Sequence, residues 1–318
     1  MPPGFHEVII VGGGVSGLSA ALVLARCRRE VLVIDAGRPR NWASHAVGGF
    51  FTRDGIHPQE LLRLGREELK NYGCVEVRAG EVVNVSRLGD RFQVSVRGEA
   101  QPLQCRRLLL ATGLADELPP LPGIEEFWGS SVFVCPICNG WEVRDRPLAV
   151  YGTDCNGVEL AVEMLAWSRD VVLCTHGTAK NISAETLGKL ARRGVRVLDG
   201  PVVRLTGKDG RLECVHFADG PPIARAALFF SSAQHQQSGL PKSLGCKFAD
   251  DGTVRKNGTC EATNIPGLYV TGNASACGGT QLAIVAAGQG ADAAHTIHCS
   301  LAEEDYERGR SNGPCDEK

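Results

Sequence analysis

Short, wholly apolar runs that end in glycine or an acid organise this chain. Val8-Ile9-Ile10-Val11 leads into Gly12-Gly13-Gly14-Val15-Ser16-Gly17, after which Leu18, Ala21, Leu22 and Ala25 recur at helical spacing. A second run, Val31-Leu32-Val33-Ile34, closes on Asp35. Runs without polar alternation suit parallel strands buried on both faces, so the chain is predicted to open as strand, glycine turn, helix, strand. Leu108-Leu109-Leu110-Ala111 before Thr112-Gly113, Leu148-Ala149-Val150-Tyr151 before Gly152, and Val171-Val172-Leu173-Cys174 continue the pattern. Residues 267–273 read as a strand running into a turn. Thr280-Gln281-Leu282 then opens a helix through about Ala294, in which Ala286, Ala287, Gly290 and Ala291 permit close packing. The proline-rich stretch 118–123 reads as a domain boundary.

The first glycine turn fits the dinucleotide-binding fingerprint. Gly12 makes the tight turn, Gly14 lets backbone approach a pyrophosphate at the positive helix end, and Gly17 lets the helix pack close to the sheet. Asp35 is placed to accept from ribose hydroxyls.

Composition narrows the function classes. A chain of 318 residues, 43% hydrophobic and 22% charged, is long enough for two globular domains. A net charge of -2 offers no basic surface for nucleic acid and no polybasic membrane anchor, so neither partner is expected. No signal peptide or transmembrane segment is readable, and a cytoplasmic location is expected. Most of the thirteen cysteines, including Cys27, Cys74, Cys105 and Cys214, are spaced singly and read as small buried hydrophobes in a reducing compartment.

Cys135-Pro136-Ile137-Cys138 is the exception. A thiolate with a resolving thiol two residues away is the arrangement that disulfide exchange uses. A zinc site would need a second close pair, which the chain lacks, so redox chemistry is favoured over metal or inert packing and no metal is expected.

Taken in order, these motifs resemble the low-molecular-weight, bacterial-type thioredoxin reductases over nearly the whole chain. The matches are Gly12 to Gly17 with Asp35, Ala111-Thr112-Gly113, Cys135 with Cys138, and the Gly272 turn with Gln281. The resemblance implies an α/β fold of two Rossmann-like domains of the three-layer ββα type, the second inserted into the first. Residues 1–115 and 236–318 would form the FAD-binding domain, with a flexible tail, and 116–235 the pyridine-nucleotide-type domain carrying the CxxC. It also implies FAD as cofactor, held by Gly12, Gly14, Gly17, Asp35, Asn273 and Gln281, and a homodimer. Cys138, nearer the flavin, would be the charge-transfer thiolate, and Cys135 would attack the substrate disulfide. In that family the two domains rotate, with hinges expected near 118–123 and 231–239. The Cys-Pro-x-Cys variant followed by Gly140-Trp141-Glu142 resembles in particular a subgroup that includes dithiol oxidases of small natural products.

Three departures shape the functional expectation. The second glycine turn reads Gly152-Thr153-Asp154-Cys155-Asn156-Gly157, with a carboxylate where the middle glycine would admit a pyrophosphate. After the next strand, Thr175-His176-Gly177-Thr178-Ala179-Lys180 lacks the arginines that hold a 2'-phosphate, and no acid replaces them. Asn139 stands where the family commonly has an acid, leaving Glu142 or water as the proton carrier. Beside these three, Asn273 is a milder substitution for the usual aspartate and can still bond a flavin hydroxyl. The leading expectation is electron movement between FAD and the Cys135/Cys138 pair and on to a thioredoxin-like disulfide, with weak or no NADPH use and ferredoxin or another non-nicotinamide reductant as donor. The alternatives are a small-molecule dithiol oxidase using oxygen, and a flavin-binding sensor without efficient turnover.

Seven of the eight histidines, His45, His57, His176, His216, His235, His295 and His298, are scattered without metal-ligand spacing. His295 and His298 are expected near the end of the last helix, complementing its dipole, with a base role at the flavin as the alternative. The chain from Ser300 is acidic, then residues 309–315 read as a flexible tail in which Cys315 is incidental, a thiol relay being the less favoured option.

Overall fold

The computed structural model describes residues 4–257, 261–275 and 280–309. Its first half is β1 (Phe5–Val11), α1 (Val15–Arg26), β2 (Val31–Asp35), α2 (Pro58–Leu69), β3 (Val75–Ala79), the hairpin β4 (Val82–Leu88) and β5 (Arg91–Val96), and β6 (Leu103–Leu110). Strands run in the order β3-β2-β1-β6-β5-β4, with the first four parallel and the hairpin antiparallel. The apolar runs are buried on both faces, and their period of two divides the core. Ile9, Val11, Leu32, Ile34, Leu108 and Leu110 face the hairpin's Phe92 and Val94. Val8, Ile10, Val31, Val33 and Leu109 face Leu18, Ala21 and Leu24 of α1. Each such side chain contributes about 1.5–3 kcal/mol by leaving water.

The chain then leaves this sheet through β7 (Leu114–Asp116) and builds α3 (Ile124–Phe127), β8 (Val132–Phe133), α4 (Pro136–Asn139), β9 (Leu148–Tyr151), α5 (Cys155–Glu163), β10 (Val171–Cys174), α6 (Ala184–Arg192), β11 (Arg196–Leu198), the antiparallel set β12 (Val202–Lys208), β13 (Arg211–Phe217) and β14 (Ile223–Ala224), and β15 (Ala227–Phe230). A second, all-parallel sheet has the order β11-β10-β9-β15-β8. The chain returns through β16 (Gln234–Gln236), which pairs antiparallel with β7, setting Gln234 opposite Asp116 and Gln236 opposite Leu114. The outward and return crossings thus form one two-stranded ribbon.

After α7 (Leu240–Ser243), β17 (Leu268–Val270) joins the first sheet beside β6, and α8 (Ala283–Glu307) packs along α1. The contact is close because Gly290 lies on the Ser16 backbone, where a Cβ would stand 2.0 Å from the Ser16 carbonyl oxygen.

Helix α8 runs well past Ala294, which corrects the expected end. The acidic residues from 303 onward continue the helix because Glu304 and Asp305 meet buried arginines. Asp305 accepts from Arg29 (2.7 Å) and Arg106 (2.7 Å), Glu7 accepts from Arg29 (2.9 Å), and Glu304 pairs with Arg107 (2.7 Å). His295 and His298 therefore sit well inside α8, and neither complements its C-terminal dipole. His298 Nδ1 instead accepts from Arg29 Nε (3.3 Å). Cys315 lies outside the described residues. Among the described residues no helix is long and apolar enough to cross a membrane, and no group of His, Cys, Asp and Glu is disposed to hold a metal ion.

Candidate active site

A cavity of about 740 Å³ opens at the C-terminal ends of β1, β2 and β6 and extends to α4, the position where open parallel sheets bind ligands. Gly12, at φ 110°, could carry no side chain, since its Cβ would lie 2.4 Å from the Ala111 carbonyl oxygen. Gly14 is the N-cap of α1 and makes no side-chain cap bond. Nothing lies within 4 Å of the Cβ that Gly14 lacks, and Gly14, Val15 and Ser16 line the cavity, so the start of α1 opens on the cleft. Gly17 is not on the cavity wall. It backs onto Gly12, where a Cβ would lie 1.9 Å from the carbonyl oxygen. Asp35 is on the wall, accepting from the Gly37 amide (3.2 Å) and from Arg66 (2.8 Å). Thr112 Oγ1, also on the wall, is buried with no hydrogen-bond partner among the described residues. An open helix start, an acid at the next strand end and an orphan hydroxyl fit the pyrophosphate, ribose and polar edge of FAD.

Cys135 and Cys138 form a disulfide on the same wall, both half-buried. Cys135 caps α4, with Pro136 pre-set at the first helical position, and its Sγ accepts from the Cys138 amide (3.1 Å). This segment rests on the loop after β2. A Cβ on Gly48 would lie 2.3 Å from the Cys138 carbonyl oxygen, and one on Gly129 would lie 2.3 Å from the Ala43 carbonyl oxygen. Asn139 is on the wall, whereas Glu142 is exposed and away from it. The wall carboxylates among the described residues are Asp35, Glu81, Asp116 and Glu163. The first three pair with Arg66, Arg97 and Arg40, and Glu163 has no ion pair among the described residues.

Asn273 and Gln281 also line the cavity. Gln281 belongs to a network that sequence reasoning missed. Its Oε1 accepts from Arg40 and Gln234, and its amide nitrogen donates to Gln234 (2.8 Å). Asp116 accepts from Arg40 Nε (2.7 Å) and Nη2 (2.6 Å), Ser232 (2.8 Å) and Gln234 (2.9 Å). Burial alone would raise the Asp116 pKa, but Arg40, with Ser232 and Gln234, outweighs it and holds the carboxyl below the ordinary range.

The second glycine turn keeps its packing but loses its opening. Gly152 and Gly157 touch backbone to backbone, a Cβ on Gly152 falling 2.3 Å from the Gly157 Cα. Between them Asp154 is the N-cap of α5, accepting from the Gly157 amide (3.2 Å) and Asn156 Nδ2 (3.1 Å). The carboxylate thus sits where a nucleotide phosphate would meet the helix start. Beyond β10, His176 Nδ1 accepts from the Val202 amide (3.1 Å). Although no acid follows β10 in sequence, Asp199 reaches this loop from the end of β11. Bonds from Thr175 (2.6 Å) and the Ala179 amide (2.7 Å) hold its carboxyl below the ordinary range.

Residues 6–290 match the family model described as pyridine nucleotide-disulphide oxidoreductase. A relative described as a probable thioredoxin reductase, from Arthroderma benhamiae, is 28% identical, covering 94% of this chain and 81% of its own. The crystal structure of HlmI superposes with a TM-score of 0.89 at 38% identity, over 96% of both chains. A structure titled putative thioredoxin reductase TrxB from Bacillus anthracis superposes with a TM-score of 0.87 at 30% identity, over 94% of this chain and 99% of that one. With the two-sheet fold, the open glycine turn and the CxxC on one cleft, these likenesses place the chain in the pyridine nucleotide-disulphide oxidoreductase family, as a thioredoxin reductase-like FAD flavoprotein and an oxidoreductase enzyme.

Proposed function

We propose that this enzyme works without a nicotinamide nucleotide and runs as a dithiol oxidase, taking two electrons from an external dithiol through Cys135 and Cys138 into FAD. The observation that carries this is the contrast between two like turns. The α1 start is uncapped and open, whereas the α5 start is closed by its own Asp154 carboxylate. A phosphate brought to α5 must displace that cap and meets like charge, costing about 1 kcal/mol at 4 Å in water and more when desolvated. The anionic Asp199, bonded to the loop where a 2'-phosphate would be read, adds to the cost for NADPH.

The external thiolate attacks Cys135 Sγ, forming a mixed disulfide and releasing Cys138 as thiolate. The second external thiol then attacks the mixed disulfide, the product disulfide leaves, and Cys135 is released as the second thiol of the reduced pair. The Cys138 amide bond to Cys135 Sγ favours negative charge on Cys135. Asn139 can orient but not cycle a proton, so Glu163, which faces the cleft where Glu142 does not, carries it. Gly12, Gly14, Asp35, Asn273 and Gln281 would hold FAD, which would supply a two-electron acceptor for the reduced cysteine pair, with oxygen as the final oxidant and hydrogen peroxide as its product. Residues 1–115 with 236–318 are the FAD-binding domain in this reading and 116–235 the inserted one, in a cytoplasmic homodimer.

A second reading, reduction of a thioredoxin-like disulfide with ferredoxin or a similar donor, is favoured by the relatives named thioredoxin reductases. Anaerobic mixing of the flavin-loaded protein with dithiothreitol, NADPH, NADH and reduced ferredoxin separates the two. Bleaching by dithiothreitol, followed by oxygen uptake and peroxide release on aeration, is the expected result. Bleaching by ferredoxin with slow reoxidation supports the second reading, and fast bleaching by NADPH overturns nicotinamide independence. Cys138→Ser is expected to abolish bleaching by dithiol, while Glu163→Gln should slow turnover.

A further inference from the structure

We infer that Arg40 and Asp116 are positioning residues that, with Gln234 and Gln281, hold the Cys135/Cys138 segment against the flavin end of the cleft while electrons pass. This rests on the reading that the cysteine pair exchanges electrons with FAD. The unit that carries the dithiol, residues 117–233, is connected along the chain to the rest only through β7 and β16, and a ribbon this short is marginal by itself. Its orientation must therefore come from what it is bonded to.

Those bonds converge on one carboxylate. Asp116 lies on the outward crossing, Ser232 and Gln234 lie on the return, and Arg40 lies in the loop after β2. Asp116 takes both prongs of the Arg40 guanidinium together with the Ser232 hydroxyl and the Gln234 amide. Gln281, at the start of α8, is bonded to Arg40 and Gln234. Further along the ribbon Gln236 donates to the Gly252 (3.0 Å) and Ala274 (2.9 Å) carbonyls, and Gln237 to that of Arg38 (2.7 Å). The loop bearing Arg40 continues to Ala43 and Gly48, which touch Gly129 and Cys138 backbone to backbone. One loop thus grips both the ribbon and the dithiol. Water can replace the neutral amide bonds, but removing one partner of the ion pair strands a charge, since the side chains of Asp116 and Arg40 are only 6% and 20% exposed.

The test uses flavin-loaded Asp116→Asn, Arg40→Gln and Arg40→Lys proteins, mixed anaerobically with dithiothreitol. The limiting bleaching rate is expected to fall at least about tenfold in the first two and less in Arg40→Lys, which keeps the charge but loses the fork. The half-saturating dithiothreitol concentration and the FAD bound per chain should stay at wild-type values. In the flavin-free variants, protease cleavage within 117–123 and 231–239 should speed up by a similar factor. If Asp116→Asn does not fold, Gln234→Ala takes its place, with a smaller slowing expected. Wild-type flavin that dithiothreitol leaves oxidised overturns the underlying reading and this one with it. Wild-type bleaching with unchanged rates and unchanged cleavage in the variants overturns this inference alone.

Discussion

Asp154 and Gly14 occupy equivalent positions in two like turns, and one carboxylate separates an open helix start from a closed one. Asp154→Gly should cost only a few tenths of a kcal/mol, because glycine is itself an acceptable cap. It should raise NADPH affinity about fivefold or more by removing at least about 1 kcal/mol of repulsion, as read by titration of the flavin-loaded protein. No change would assign the exclusion to Asp199 and the missing arginines. The cysteines differ as sharply. Burial pushes Cys105 and Cys174 up to about 12, leaving roughly one thiolate in ten thousand at pH 8. Brief alkylation of the reduced native protein should therefore label Cys135 and Cys138 and leave those two unmodified, as peptide mass spectrometry would show.

At the scale of elements, α8 is held by charges that the helical period does not reveal. Burial pushes the Asp305 carboxyl up, but Arg29 and Arg106 together outweigh it and leave it below the ordinary range. A carboxyl lowered by folding adds stability that is whole above its unfolded value near pH 4 and is lost as pH falls through the folded one. His298 is lowered by burial first and by Arg29 second. Its contribution is therefore present above the unfolded value near 6.5 and is lost below it. Urea unfolding across pH should show two losses on acidification. His298→Gln should remove the upper one. Asp305→Asn should cost about 3–5 kcal/mol at pH 7, by leaving Arg29 and Arg106 short of a partner, and should weaken the lower one. The apolar stripe of α8 runs past Ala294 through the fully buried Ile297 and Leu301, and only at Asp305 does it give way to these buried ion pairs.

For the whole molecule, ligand binding should stabilise one of the two nucleotide-type units and not the other. FAD at a hundred times its Kd adds about 2.7 kcal/mol to a site that only the folded state offers, so melting of the flavin-free protein should rise with FAD and stay unmoved by NADPH. A rise with NADPH would show that the α5 turn still binds nucleotide. The sequence alone determined the strands written as apolar runs, the first glycine turn, the CxxC and the acid at the second glycine turn, because each is written within a few neighbouring residues by backbone sterics, periodicity or thiol spacing. Only the tertiary structure decided that Arg40 meets Asp116, that Gln281 turns to Arg40 and Gln234, that Gly48 carries Cys138, and that Asp199 reaches the β10 loop. Those partners lie far apart in the chain, and nothing local to a charge or an amide specifies which distant group will share its burial.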